Sequence, residues 1–146
     1  MGQGPSLDSV GRAAVDTSVF IYLFEARPPR GPKAVQLFDA MASSTVVTSI
    51  ITPIEVLTHC KREGQTELEK QYVRFFLATG NLVVMPVDWE IAERAAEIRA
   101  RHRLRTPDAI QAATAIVAGA KVFLTNDRRL AKVDEVNVVV FDGWAP

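Results

Sequence analysis

Two kinds of apolar pattern alternate along the chain. The first is a short run with apolar residues on successive positions: "AAVD" (13–16), "STVVTS" (44–49, its two valines flanked by hydroxyls), "LVVMP" (82–86), "KVFLT" (121–125) and "NVVVF" (137–141). Each predicts a strand, and apolar residues on successive rather than alternate positions mean burial on both faces of a sheet. In the second kind, apolar residues recur every three or four positions, which predicts helices packed through one face.

The helical stretches carry their own boundaries. "TSVFIYLFE" (17–25) is an apolar helix with Thr17 and Ser18 as hydroxyl caps, followed by a loop, "ARPPRGP" (26–32). Ala34, Leu37, Phe38 and Met41 then share a helical face. "TPIEVLTHCKREG" (52–64) starts at Thr52–Pro53 and stops at Gly64, and its T-x-x-E spacing makes Thr52 and Glu55 a capping box. A longer helix presents Leu68, Tyr72, Phe75 and Phe76 and ends at Gly80. An amphipathic helix follows over 88–103, then one from Pro107 to about Ala118 whose Ala109, Ala112, Ala113 and Ile116 suit close packing on a sheet. A short turn of helix is expected after Asp127. Strands alternating with helices give the α/β class, with a central parallel sheet of about five strands covered on both faces.

Length and composition narrow the picture only slightly. At 146 residues the chain is expected to form one domain over residues 12–146, preceded by a flexible leader over 1–11. The leader begins "MGQGPS", which fits the loose myristoylation pattern but lacks a second anchoring signal, so no membrane role is expected. Basic and acidic residues each number 17, so any affinity for nucleic acid must come from where charges lie, not from their sum. A single cysteine, Cys60, excludes an internal disulfide and suits a reducing, cytoplasmic setting.

The chemistry concentrates in four acids. Ligands of open parallel sheets bind beyond the carboxyl ends of the strands. Asp16 ends the first strand and Asp127 follows the fourth, while Glu55 and Asp108 fall in the first turns of helices opening from the same rim. Each has a plainer explanation: Glu55 completes the capping box, Asp108 favours a helix dipole, Asp127 caps a short helix, and Asp16 fills a turn. Capping alone gives no reason for all four to meet. Two carboxylates about 4 Å apart repel by roughly 4 kcal/mol at an effective dielectric near 20, so four together call for a cation. All-oxygen donors select Mg²⁺ or Mn²⁺; His59, Cys60 and His102 lack zinc-ligand spacing. Such a centre suits phosphodiester hydrolysis by a metal-activated water.

From "VDTSVFIYLFE" through "ITPIEVLTHC" and "TPDAIQAATAIVAGAKVFLTNDRRL" to "VNVVVFD", the chain resembles the PIN-domain ribonucleases, in particular VapC-type toxins of toxin–antitoxin pairs. The resemblance implies a PIN-like α/β/α fold and Mg²⁺-dependent endoribonuclease activity. It also implies Asp16, Glu55, Asp108 and Asp127 as the metal-binding and catalytic acids, and Ser18, Thr125 and Asn126 as polar residues lining the site. No further acid lies near Asp108, where some members carry one, so a single firmly held Mg²⁺ is expected, with Mn²⁺ an acceptable substitute. A homodimer and a cognate antitoxin whose tail fills the groove are further implications.

Arginines mark where RNA could approach. Arg94, Arg99, Arg101, Arg103 and Arg105 lead toward Asp108, Arg128 and Arg129 adjoin Asp127, and Arg27 and Arg30 form a weaker third group. Phosphate steering and simple solvation of helix ends explain the first group equally well. Two other function classes compete. An aspartyl phosphatase of the haloacid-dehalogenase type needs a second Asp two residues after Asp16, where this chain has Ser18. A non-catalytic interaction module has no use for the four acids. Metal-dependent RNA cleavage lost in Asp16→Asn separates the nuclease from the module.

Overall fold

A computed structural model describes residues 6–146; the myristoylation pattern falls mainly on residues 1–5, outside the described part. Five strands form one sheet: β1 (Arg12–Val15), β2 (Thr45–Ser49), β3 (Leu82–Met85), β4 (Val122–Thr125) and β5 (Val138–Val140). Their order is β3-β2-β1-β4-β5, with every neighbouring pair parallel. β1 is therefore central, with Ala13 opposite Val46 on one side and Val122 on the other. The parallel five-stranded sheet expected from the apolar runs is present.

Alternation along the central strands divides the core into two layers. Ala13 and Val15 of β1, with Val122 and Leu124 of β4, point into a cluster built with α1 (Thr17–Glu25), α2 (Arg30–Ala40), α3 (Ile51–Arg62) and α4 (Thr66–Ala78). Ala14 and Phe123 point the other way, toward α5 (Trp89–His102) and α6 (Thr106–Val117). Ala109, Ala112 and Ala113 are fully buried there, as the small-residue face requires for a helix lying close on a sheet. The expected leader contributes Leu7 and Val10 to the first cluster, so the packed unit includes residues before β1.

Three local expectations are corrected. α1 is capped by the Asp16 carboxylate, which accepts from the Thr17 amide, rather than by the hydroxyls. α3 starts at Ile51, placing Thr52 inside the helix; no capping box forms, because both side chains are engaged elsewhere. The loop expected over 26–32 is shorter, since α2 already begins at Arg30 and holds Gly31 and Pro32 in its first turn. Proline at that position has no amide to waste, and Gly31 is required by a close approach. A Cβ on Gly31 would lie 2.3 Å from the Ala26 carbonyl carbon. Gly31→Ala is therefore expected to cost about 1–3 kcal/mol, as overpacking against backbone does, and urea denaturation would read the loss.

Candidate active site

The joints at the carboxyl edge of the sheet bring the four acids into one cleft of about 430 Å³. Asp16, Glu55, Asp108 and Asp127 all line it, with Ser18, Asn126, Arg128 and Arg129. Asp16 is delivered by the junction of β1 and α1, and its amide donates to the Leu124 carbonyl (2.8 Å), continuing the pairing with β4. Glu55 comes from the second turn of α3, and Asp108 from the first turn of α6. Asp127 caps the 3₁₀ turn Arg128–Lys132 after β4, accepting from the Arg129 amide at 3.0 Å, as its plainer reading anticipated.

Asp16 lies deepest. Its carboxylate accepts from the Thr17 amide (2.8 Å) and the Thr125 hydroxyl (2.7 Å). Burial outweighs these two bonds and raises its pKa from 3.8 to about 6, with the Glu55 and Asp108 carboxylates adding to the rise. Thr125, expected from the sequence to line the site, is instead fully buried and acts from behind Asp16, outside the cleft lining. Ser18 and Asn126 do line it, and the Ser18 hydroxyl accepts from the Asn126 amide at 3.3 Å.

Beneath the cleft runs a buried hydroxyl and amide network that the sequence reading missed. Thr48 Oγ1 donates to the Val15 carbonyl (2.8 Å) and lies 2.8 Å from Thr52 Oγ1. Gln111 Nε2 donates to Thr52 Oγ1 (2.9 Å) and Thr17 Oγ1 (3.2 Å), and Thr17 Oγ1 donates to Glu55 Oε1 (2.9 Å). The network joins two strands to three helices and ends on Glu55. Its one visible sequence signal is Gln111, a polar side chain in the otherwise small and apolar stretch "AIQAA". Thr17→Val keeps the shape but strips Glu55 of its donor and Gln111 of an acceptor. The expected cost is about 1–3 kcal/mol, measurable by chemical denaturation.

The arginines separate into distinct roles. Arg129 donates to both Asp127 oxygens, closest at 2.6 Å, and its Nη2 lies 3.8 Å from Asp108. This bonding holds the Asp127 pKa below its usual value. Arg105 Nε lies 3.3 Å from Asp108. Arg128 lines the cleft without an ion-pair partner among the described residues. Arg101 is elsewhere: it pairs with Glu135 at 2.6 Å, beside His102 at 3.0 Å from the same oxygen. Arg103 caps α5 in the left-handed region at φ 54° and does not line the cleft. Arg99 Nε donates to the Leu104 carbonyl (3.0 Å), so part of the basic run pins the link from α5 to α6.

Oxygen donors alone line the cleft's acidic side, and Arg105, Arg128 and Arg129 leave four carboxylates with an excess of negative charge; the residues fit a hard divalent cation. Among the described residues, no three of the cleft acids bring their oxygens within 4.8 Å of one another. An ion shared by them would therefore have to complete its shell with waters. The group that does meet this distance, His102, Asp134 and Glu135, already holds the Arg101 guanidinium and ties the end of α5 to the segment before β5. Cys60 is buried in the helical layer, which raises its thiol pKa and leaves it a packing residue.

The family model for the PIN domain matches residues 13–136, from β1 to the approach of β5. The chain belongs to the PIN domain family. Solved structures with the same fold as this PIN domain include a toxin–antitoxin complex from Klebsiella pneumoniae, with 27% identity and a TM-score of 0.67 over 88% of this chain and 97% of that one. Others are a DNA-bound VapBC from Salmonella typhimurium (20% identity, TM-score 0.73, 90% and 98% covered) and the sarcin–ricin-loop-cleaving toxin VapC20 of Mycobacterium tuberculosis (24% identity, TM-score 0.69, 86% and 98% covered). A comparison with curated protein sequences finds no match. Among the described residues, no helix of this PIN domain is long and apolar enough to cross a membrane.

Proposed function

We propose that this PIN domain is a metal-dependent endoribonuclease and the toxin of a toxin–antitoxin pair. The observation that carries the reading is the convergence of Asp16, Glu55, Asp108 and Asp127 on one cleft, from four separate joints of the fold. The likeness to toxin–antitoxin structures, one of them a toxin that cleaves the sarcin–ricin loop, supports RNA as the substrate and an antitoxin as the partner.

Asp16, Asp108, Asp127 and Glu55 are the residues that would hold Mg²⁺, with Mn²⁺ an acceptable substitute. When bound, the ion supplies a Lewis acid that lowers the pKa of a water and offsets charge on the phosphate. The chain's own contribution is positioning. Thr125 and the Thr17 amide fix both oxygens of Asp16, and the Thr17 hydroxyl fixes Oε1 of Glu55, leaving its Oε2 with no protein donor among the described residues and able to accept a proton. Arg129 and Arg105 hold Asp108 and Asp127 on the cleft wall, and Arg128 is free to meet a phosphate.

A homodimer is part of the reading. Ile50 and Ile54, one turn apart at the start of α3, are exposed, as are Val87 and Trp89 beyond β3. The Ile50 amide bonds to the Met85 carbonyl (2.9 Å), which sets these apolar side chains at neighbouring ends of the sheet.

Incubating total cellular RNA with the purified protein and mapping the fragment ends tests the activity. Discrete products with Mg²⁺ or Mn²⁺, none with EDTA, are the expected outcome. Products indifferent to EDTA, or no products under any condition, would end the nuclease reading.

A further inference from the structure

Beside the acid cleft lies a larger one of about 620 Å³, which includes Tyr22, Glu25, Arg27, Arg30, Lys33 and Asp142 in its lining. The two share a wall at Asn126. Asn126 lines the acid cleft, and its Nδ2 donates to the Tyr22 hydroxyl (2.9 Å) and to Asp142 Oδ2 (3.3 Å), both in the second cleft. The Asp142 amide returns a bond to Asn126 Oδ1 at 3.0 Å. Asn126, bonded to Tyr22 and Asp142, is thus the ridge between the two clefts.

The two clefts have opposite charge. Four carboxylates face two arginines in the first, whereas three basic residues face two acids in the second. In the second, Asp142 is already taken by Arg30, whose Nε and Nη2 reach its two oxygens at 3.1 and 2.8 Å. Arg27 has no ion-pair partner among the described residues, and Lys33 Nζ reaches only the Asp142 carbonyl (3.1 Å) and the face of Phe141 (4.9 Å). Two cations are thus available to an anion. A flat surface stands beside them: the Arg30 guanidinium lies 4.8 Å over the Tyr22 ring and is held there by Asp142. Guanidinium planes of this kind are surfaces on which unstacked bases lie. The wall is closely packed at this point: Gly31 sits against the Ala26 backbone, and Pro28 and Pro29 line the cleft beside it.

We propose that this second cleft is a subsite for the nucleotide flanking the cleaved linkage. Arg27 and Lys33 take its phosphate, and its base lies against the Arg30 guanidinium stacked on Tyr22. The assignment rests on the ribonuclease reading of the acid cleft and names where the single-stranded substrate continues.

The test is the binding of a fluorescein-labelled, mixed-sequence single-stranded RNA of about twenty nucleotides, long enough to track a charged groove. Anisotropy is followed in EDTA across a salt series, so that binding is read without turnover. The variant is Arg27→Gln with Lys33→Gln, which keeps both partners of the Arg30–Asp142 pair; a circular-dichroism melt that matches the wild type shows that losing the Lys33 contacts with Asp142 and Phe141 does not disturb the fold. The proposal expects the variant to bind about tenfold more weakly and to lose about 0.7 from the slope of log affinity against log salt, the value of one phosphate contact on a single strand. If the wild type cleaves total RNA with metal while the variant keeps the wild-type affinity and slope, the subsite is overturned and the nuclease reading stands. If the wild type neither cleaves nor binds RNA, both fall. An oligoglutamate peptide whose binding depends on Arg27 and Lys33, with RNA binding that does not, would assign the cleft to an acidic protein partner and overturn the proposal.

Discussion

Asp16→Asn should abolish metal-dependent RNA cleavage and at the same time make the metal-free protein more stable at neutral pH. The loss follows from the place of Asp16 at the bottom of the cleft, where it is the acid most enclosed by the others. Charge stabilisation by a bound metal is worth several kcal/mol of barrier, so losing the ion lowers the rate by about a thousandfold or more. The gain follows from burial. The folded protein raises the Asp16 pKa from 3.8 to about 6, so folding favours its protonated form. Stability from this group is fully present below about pH 4, falls as pH rises toward about 6, and stays low above that. By the usual conversion of about 1.4 kcal/mol per pH unit, the ionised carboxylate costs the fold roughly 2–3 kcal/mol. Asparagine escapes this cost: its Oδ1 accepts from the Thr17 amide, and its Nδ2 donates to the Thr125 hydroxyl in place of the bond that Thr125 gives the carboxylate. Urea denaturation in EDTA should find the variant more stable at pH 7.5 and the difference gone near pH 4. Asp127 and Asp142, whose pKa values are lowered by Arg129 and Arg30, lose stability as pH falls, but they do so in both proteins and cancel in the comparison. An inactive variant that was also less stable at pH 7.5 would mean that Asp16 is chiefly a structural cap.

Phe20→Ala is expected to have the largest effect on the fold itself. Phe20 is fully buried, and its ring lies 5.4 Å from Phe38, 6.0 Å from Phe75 and 5.5 Å from Phe76, so one side chain joins α1 to both α2 and α4. Removing a buried ring costs about 3–5 kcal/mol through lost burial and the cavity left behind. That is a large share of the 5–15 kcal/mol typical of a domain. The midpoint of thermal unfolding should fall by roughly 6–20 °C. Because α1 also carries Asp16, Thr17 and Ser18 at its start, cleavage should fail on warming well before it does in the wild type. A loss under about 1 kcal/mol would show that the aromatic cluster relaxes around the gap.

The architecture could be read from the chain because burial on both faces leaves an unmistakable mark: "VFLT" is buried at all four positions and lies beside the central strand. The four acids could be read for a related reason, since strand ends and helix starts on one edge must share a rim. Other features depend on partners distant in sequence. Glu55 fits a capping box by spacing, but the Thr17 hydroxyl, brought in from α1, claims it instead. Gln111 looks like a stray polar residue until Thr17 and Thr52 meet it in the interior. The basic run before Asp108 looks uniform, yet Arg99 holds a carbonyl, Arg101 an acid pair, and Arg105 the catalytic candidate itself. Asp142 closes the stretch "VNVVVFD" of the resemblance, but its role is not legible there, because that role comes from Arg30 and Asn126.

The four acids are expected to form a single divalent-metal site. Titrating Mn²⁺ into the metal-free protein and counting free ion by electron paramagnetic resonance tests it without relying on any RNA. One bound Mn²⁺ per chain is expected, displaced by Mg²⁺ and lost in Asp16→Asn. Binding that survives Asp16→Asn unchanged, or no binding at millimolar Mn²⁺, would contradict it.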